Sequence, residues 1–355
     1  MKYIFALLTV ILTINIGLGQ HHSPLDSVMS IHVKNGFNGN VIYSRNDSIK
    51  FKGNYGFANT ENQIPLTDTS IFDLASVSKQ FTAVAVIQLI EKELLSYDTK
   101  LEEVWADFPY PGITIEHLLR HQSGLPDYID FLSKSKFWNK QDIATNNDLI
   151  NIMKAHELPL AFPPGTQSFY SNTGYAILAS VIEQISGLTY GAYLHDNIFD
   201  PLQMRNSKVV RRIYRPDNDP NLTTGYYRKG KKNAPNYLYD KKMKYYDGIV
   251  GDGMVHSTIL DLLKWKHALK NNTLISEVNK EKMFSGDEIS STYGFGFVIQ
   301  NSDSLGKYVL HTGSWQGYHS FLLYILSSDE FVVVLSNNSY DETAGINNDL
   351  LKYGR

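Results

Sequence analysis

Phe72-Asp73-Leu74-Ala75-Ser76-Val77-Ser78-Lys79-Gln80-Phe81-Thr82 is the stretch around which the rest of the chain falls into order. Ser76 stands three residues before Lys79. Ala83, Val84, Val86, Ile87, Leu89 and Ile90 then recur at helical spacing, which predicts a long helix from near Ser76 to about Leu95. Residues at i and i+3 of one helix share a face and can touch. Ser76 would also lie at the helix N-terminus, where free N–H groups and the dipole favour developing negative charge. A serine alcohol is a poor nucleophile until something takes its proton. A lysine buried beside it, its charge disfavoured by desolvation, can serve that need. The same spacing also describes a serine N-cap with a surface lysine one turn on, so the remainder of the chain has to decide.

The chain has 355 residues, 12% of them aromatic and 19% charged, the composition of an ordinary folded protein of one large domain or two lobes. A formal net charge of -3 gives no electrostatic case for nucleic acid. With no cysteine, disulfides, thiolate metal sites and a cysteine nucleophile are excluded. Lys2 precedes the apolar run from Tyr3 to Leu12, and Gly17 and Gly19 precede polar Gln20-His21-His22-Ser23. That layout predicts a secretory signal peptide over residues 1–19 and a periplasmic or secreted protein of the cell envelope. The run is interrupted at Asn15 and Gly17 and falls short of the ~20 apolar residues of a spanning helix.

Asn40–Ser44 and Ser48–Gly53 read as two strands joined at Asn46-Asp47. Ile115–Arg120 reads as a short helix capped by Thr114, followed by the turn-rich His121-Gln122-Ser123-Gly124-Leu125-Pro126-Asp127. His117 and His121, four apart, have the spacing of a metal pair but lack an intervening glutamate and an obvious third ligand. After Pro163-Pro164-Gly165 comes Tyr170-Ser171-Asn172 and an apolar-periodic helix stopped at Gly187. Residues 205–250 hold twelve Lys/Arg against four Asp, with seven tyrosines interleaved: a solvated insert, or a basic rim attracting anionic envelope polymers. Gly251-Asp252-Gly253 reads as a turn under a binding cleft, and Ser257 or Thr258 as the cap of a helix to about Leu269. Residues 293–299, 308–311, 318–325 and 331–335 read as antiparallel strands, and 341–353 as a closing helix. The expected fold is α+β and two-lobed. An antiparallel sheet built from both chain ends is flanked by helices and carries an inserted helical lobe. The sheet lobe spans about 24–97 and 255–355, the helical lobe about 98–254.

Three short words now stand together: Ser76-Val77-Ser78-Lys79, Tyr170-Ser171-Asn172 and His311-Thr312-Gly313. In order and context they resemble the serine β-lactamase and penicillin-binding protein superfamily, in its class C-like branch of β-lactamases, D-amino-acid peptidases and esterases. The likeness covers nearly all the chain after the leader, the basic insert excepted. It implies Ser76 as a nucleophile that forms an acyl-enzyme, with Lys79 and Tyr170 as proton shuttles. Which of the two is the acylation base stays open. It implies Asn172, His311, Thr312, Gly313 and Ser314 at the substrate, with the N–H groups of Ser76 and Ser314 as oxyanion hole. The absent side chain of Gly313 would let substrate lie along the strand edge. No cofactor or metal is implied.

One departure bears on substrate. Many relatives carry Lys-Thr-Gly where this chain has His311-Thr312-Gly313. A lysine is a permanent cation for a substrate carboxylate, whereas histidine is mostly neutral at pH 7. The expectation is therefore an exported hydrolase of esters or D-amino-acid amides, peptidoglycan-derived peptides among the candidates, with weak β-lactamase activity at most. The rivals are a penicillin-binding or sensor-like module that acylates slowly or not at all, and a metallohydrolase at His117 and His121.

Overall fold

The Phe331–Leu335 run lacks polar alternation because both faces of its strand are covered. In the computed structural model, which describes residues 24–210, 219–228, 236–238 and 241–355, it is the core of a six-stranded antiparallel sheet. The sheet order is Val298–Ser302, Gly306–Trp315, Tyr318–Ile325, Glu330–Ser336, Gly39–Arg45, Ser48–Tyr55, so the two chain ends meet in its middle. Val41 pairs with Val334 across that junction. Side chains alternate between faces. Val41, Tyr43, Val332 and Val334 pack under the terminal helices Pro24–Lys34 and Thr343–Gly354. Ile42, Val333 and Leu335 belong to the larger core on the opposite face, with the serine helix and its neighbours. The fold is α+β, with helices Ile115–Leu119, Tyr128–Leu132, Asn146–His156 and Asn172–Ser186 between the two halves of the sheet.

Several boundaries differ from the sequence expectation. A 3-10 turn over Ala75–Ser78 precedes the serine helix, which runs Lys79–Glu91. It stops because Glu93 turns left-handed (φ 58) and the Leu94 N–H returns to the Leu89 carbonyl at 3.0 Å. No glycine marks that stop. Every residue from Lys79 to Leu89 is buried, the mark of a helix enclosed on all sides. Helix Pro24–Lys34 was not expected. The strand read over 293–299 begins only at Val298, because Gly294 and Gly296 bring the backbone under other elements. A Cβ on Gly294 would stand 2.1 Å from the Met283 carbonyl, and one on Gly296 2.8 Å from that of Lys79.

The expected leader at 1–19 lies outside the described residues, as do 211–218, 229–235 and 239–240 of the basic stretch. Within that stretch Tyr226, Tyr245 and Tyr246 are buried, so these three rings are core rather than rim. No helix among the described residues is long and apolar enough to cross a membrane.

Candidate active site

The serine turn is pinned on both sides. The Leu74 N–H donates to the Val255 carbonyl (2.9 Å), the Leu74 carbonyl accepts from Ser320 Oγ (2.7 Å), and the Ala75 N–H donates to Asp73 Oδ1 (2.7 Å). Ala75 is held at φ 47, a left-handed conformation that a residue with a Cβ rarely adopts. Ser78, the second serine of the word, takes the Val255 N–H on its Oγ at 3.1 Å. Lys79 and Ser76 then meet one turn apart, Nζ 3.1 Å from Oγ.

Lys79 is fully buried and makes two further bonds, to Asn172 Oδ1 (3.0 Å) and to the Asp252 carbonyl (2.9 Å). Both of those partners can only accept. The Asn172 amide has one orientation, because Asp127 Oδ2 takes its Nδ2–H at 3.0 Å and its backbone N–H at 2.8 Å. Two N–H bonds of Lys79 are thus committed to acceptors, and its third direction points at Ser76. In the free-amine form, that direction carries the lone pair. The glycine turn beneath is equally constrained: a Cβ on Gly251 would meet the Tyr175 carbonyl at 2.4 Å. The buried Asp252 carboxyl accepts from Tyr128 Oη at 2.9 Å through Oδ2. Oδ1 is buried without a partner among the described residues. Burial raises its pKa from 3.8 to about 6, against the pull of the nearby Lys79 cation.

Tyr170 reaches Lys79 through its ring, with Nζ 4.9 Å from the centroid. The convergence anticipated from sequence is therefore a hydrogen bond for alcohol and amine and a cation–π approach for the phenol. Tyr170 is 40% exposed, and its ring lies 4.3 Å from that of His121 and 6.2 Å from that of His311.

His311 has a single reading of its protons. Its Nδ1 faces the Thr312 carbonyl at 2.7 Å, which can only accept, so Nδ1 carries the hydrogen. Nε2 then accepts from Tyr293 Oη at 3.1 Å. Burial first, and Lys79 second, push its pKa down to about 3. The imidazole is neutral at any ordinary pH.

The strand Gly306–Trp315 pairs with Val298–Ser302 only up to Leu310, so His311 to Trp315 form an open edge. Gln316 and Gly317 (φ 49 and 92) close a two-residue hairpin, making Trp315 and Tyr318 its hydrogen-bonded closing pair. Alternation then turns the Ser314 N–H and carbonyl toward the open edge. Thr312 and Ser314 are exposed, whereas His311 and Gly313 face inward. A Cβ on Gly313 would lie 2.3 Å from both the Leu74 carbonyl and Ser320 Oγ. The glycine is thus required for the strand to approach the serine turn, a different reason from the one inferred from sequence. A cleft of about 140 Å³ opens beside Ser76, lined by Asn172, Asp252, Ser314 and the largely apolar Tyr246, Met254 and Trp315.

His117 and His121 are otherwise employed. The Thr114 N–H donates to His117 Nδ1 at 3.2 Å, capping the helix start, and His121 is buried among the rings of Tyr170, Tyr175 and Tyr293. Sequence reading passed over Asp127 and the Asp252 carbonyl as partners of Asn172 and Lys79. Only the position of Asp127 in the loop before Tyr128 hinted at it.

This fold, with a serine and a buried lysine one turn apart beside an open strand edge, is that of the serine hydrolases related to penicillin-binding proteins. The Beta-lactamase family matches residues 35–353, and the chain belongs to it. A penicillin-binding protein of Bacillus subtilis is 35% identical over 318 residues, which cover 87% of this chain and 70% of that one. A D-aminopeptidase of Gluconobacter oxydans is 25% identical over 314 residues, covering 84% of this chain but only 55% of its relative. Among solved structures, the penicillin-binding protein from Bacillus halodurans superposes with a TM-score of 0.77 at 28% identity, over 92% of this chain and 97% of the other.

Proposed function

We propose that the chain is an exported hydrolase that cleaves esters or D-amino-acid amides through an acyl-enzyme on Ser76, and turns over β-lactams poorly. The observation that carries this is the arrangement of Lys79, with two directions held by the Asn172 and Asp252 oxygens and the third directed at Ser76 Oγ, 3.1 Å away. In this reading Lys79 starts as the free amine, and Ser76 Oγ attacks the substrate carbonyl while its proton passes to the Lys79 lone pair. The carbonyl oxygen becomes an oxyanion facing the N–H groups of Ser76 and Ser314. The leaving group departs with a proton delivered by way of Tyr170. Water then enters, gives its proton back along the same route, and releases the acid and Ser76.

Substrate preference follows from charge. His311 is neutral, and the Lys79 nitrogen is committed to the Asn172 and Asp252 oxygens and to Ser76, so neither stands free to receive a substrate carboxylate. The apolar wall of Tyr246, Met254 and Trp315 suits an uncharged acyl group. The D-aminopeptidase likeness supports the amide branch of the reading. The sensor-like alternative draws on the Tyr170 hydroxyl, whose ring rather than oxygen meets Lys79. Turnover of a short-chain nitrophenyl ester is to be compared with that of a chromogenic cephalosporin, with intact-mass detection of a fluorophosphonate adduct and Ser76→Ala as control. The expected result is ester cleavage exceeding cephalosporin turnover and one adduct absent from the variant. Efficient cephalosporin turnover without ester cleavage rejects the substrate assignment, and an adduct from a fluorescent penicillin persisting for hours favours the sensor. A mature mass lacking residues 1–19 after expression with export would support the leader.

A further inference from the structure

Tyr170 lies in an irregular segment between the proline turn and helix Asn172–Ser186, and the residue is 40% exposed. A phenol that moves protons has to be held in place, since a displacement of ~1 Å can cost about a hundredfold in rate. One residue grips the chain on both sides of it. The Phe169 N–H donates to the His121 carbonyl at 2.9 Å, and the Ser171 N–H donates to His121 Nδ1 at 3.2 Å. Between these two bonds, the imidazole lies against the Tyr170 ring, centroids 4.3 Å apart.

We propose that His121 is the positioning residue of Tyr170, a clamp that fixes the phenol relative to Lys79 by holding Phe169 and Ser171 and backing the ring itself. This rests on the acyl-enzyme reading above. Three features support it. His121 sits at φ 59, where a side chain is normally a liability, so the turn alone would be served by glycine. Its Nδ1 can accept from Ser171 only in the neutral ring, and burial and the Lys79 cation hold the ring neutral. With Nδ1 accepting, the hydrogen sits on Nε2, which is buried with no hydrogen-bond partner among the described residues. A buried donor left unpaired is a cost that packing alone would remove by an apolar ring.

The test uses the full chain with His121→Phe, which keeps the ring stack and loses the acceptor, and His121→Asn, which keeps an acceptor and tolerates positive φ. Both are assayed on the nitrophenyl ester beside Tyr170→Phe and the double variant His121→Phe/Tyr170→Phe. The expected result is a fall in kcat of about tenfold or more for His121→Phe, with KM changed by less than about threefold, and substantial recovery in His121→Asn. In the Tyr170→Phe background, His121→Phe adds no further loss, because its effect passes through the phenol. Wild-type kcat in His121→Phe, or an equal loss in both backgrounds, overturns the proposal. Hydrogen exchange at the Ser171 amide reads the clamp without any turnover: about tenfold faster in His121→Phe than in wild type supports it, and no change overturns it. A wild type that neither cleaves ester nor labels at Ser76 would instead be a failure of the acyl-enzyme reading, which the exchange measurement leaves apart.

Discussion

Replacing Asp252 by asparagine should change stability by an amount that grows more favourable as pH rises. Its carboxyl is buried, with one oxygen on Tyr128 Oη and the other without a partner among the described residues, and its pKa is raised from 3.8 to about 6. At about 1.4 kcal/mol per tenfold, holding that group ionised in the fold costs about 3 kcal/mol relative to the unfolded chain. The sign follows from protons bound. Below about pH 4 the carboxyl is protonated in both states, and no cost exists. Between pH 4 and 6 the unfolded chain ionises while the folded one keeps its proton, so wild-type stability falls. Above about pH 6 the full cost is present. Asp252→Asn keeps an acceptor for Tyr128 and cannot ionise, but its amide N–H₂ replaces the unpaired oxygen, a roughly constant penalty of about 1–3 kcal/mol. The constant drops out of the trend: variant stability minus wild-type stability should rise by about 3 kcal/mol from pH 4 to pH 8. Urea denaturation of both proteins, followed by tryptophan fluorescence at each pH, measures it. A difference that stays flat across that range, or falls, would refute the reasoning. Other carboxylates titrate in the same window, but they are common to both proteins and cancel in the difference.

Gly313→Ala places a methyl 2.3 Å from the Leu74 carbonyl and Ser320 Oγ. It should cost about 1–3 kcal/mol and slow fluorophosphonate labelling of Ser76, because the serine turn and the strand are forced apart. An unchanged urea midpoint with an unchanged labelling rate counts against this. Lys266, fully buried, ties Asp47 in the first hairpin and Asp329 in the last one to helix Ile259–Lys270, and its bonds hold both carboxyls below their ordinary range. Lys266→Met should lower stability at pH 7 by about 2 kcal/mol, toward the weak end for a broken buried pair because Asp47 is half exposed and Lys270 still contacts both acids. Denaturation at pH 7 in low salt tests it, with a gain in stability as the contrary result.

What sequence could convey about this site depended on how far apart the partners lie. Ser76 and Lys79 are legible because one helical turn sets their contact, whatever the rest of the chain does. Tyr170, Asn172 and His311 are legible only through their resemblance to a family, since nothing local brings them to Lys79. Asp127 and the Asp252 carbonyl are harder still. The first acts by fixing an amide 45 residues away, and the second contributes a backbone oxygen, a group every residue has. The fold shows the same division. The two-residue turn at Asn46 and Asp47, both at positive φ, gave a local hairpin signal. Tyr293, Phe295 and Phe297 alternate as a strand would, yet the glycines between them serve close approach to the Met283 and Lys79 carbonyls, and strand pairing begins only at Val298. Period alone cannot separate these two uses of glycine. Gly313 belongs to the same problem. Its lack of a side chain was legible as a functional requirement, but the neighbour that imposes it is the carbonyl of Leu74, two residues before Ser76 and far away along the chain. The glycine therefore acts on the serine turn itself, by letting the open strand edge and the segment that carries Ser76 pack closely together.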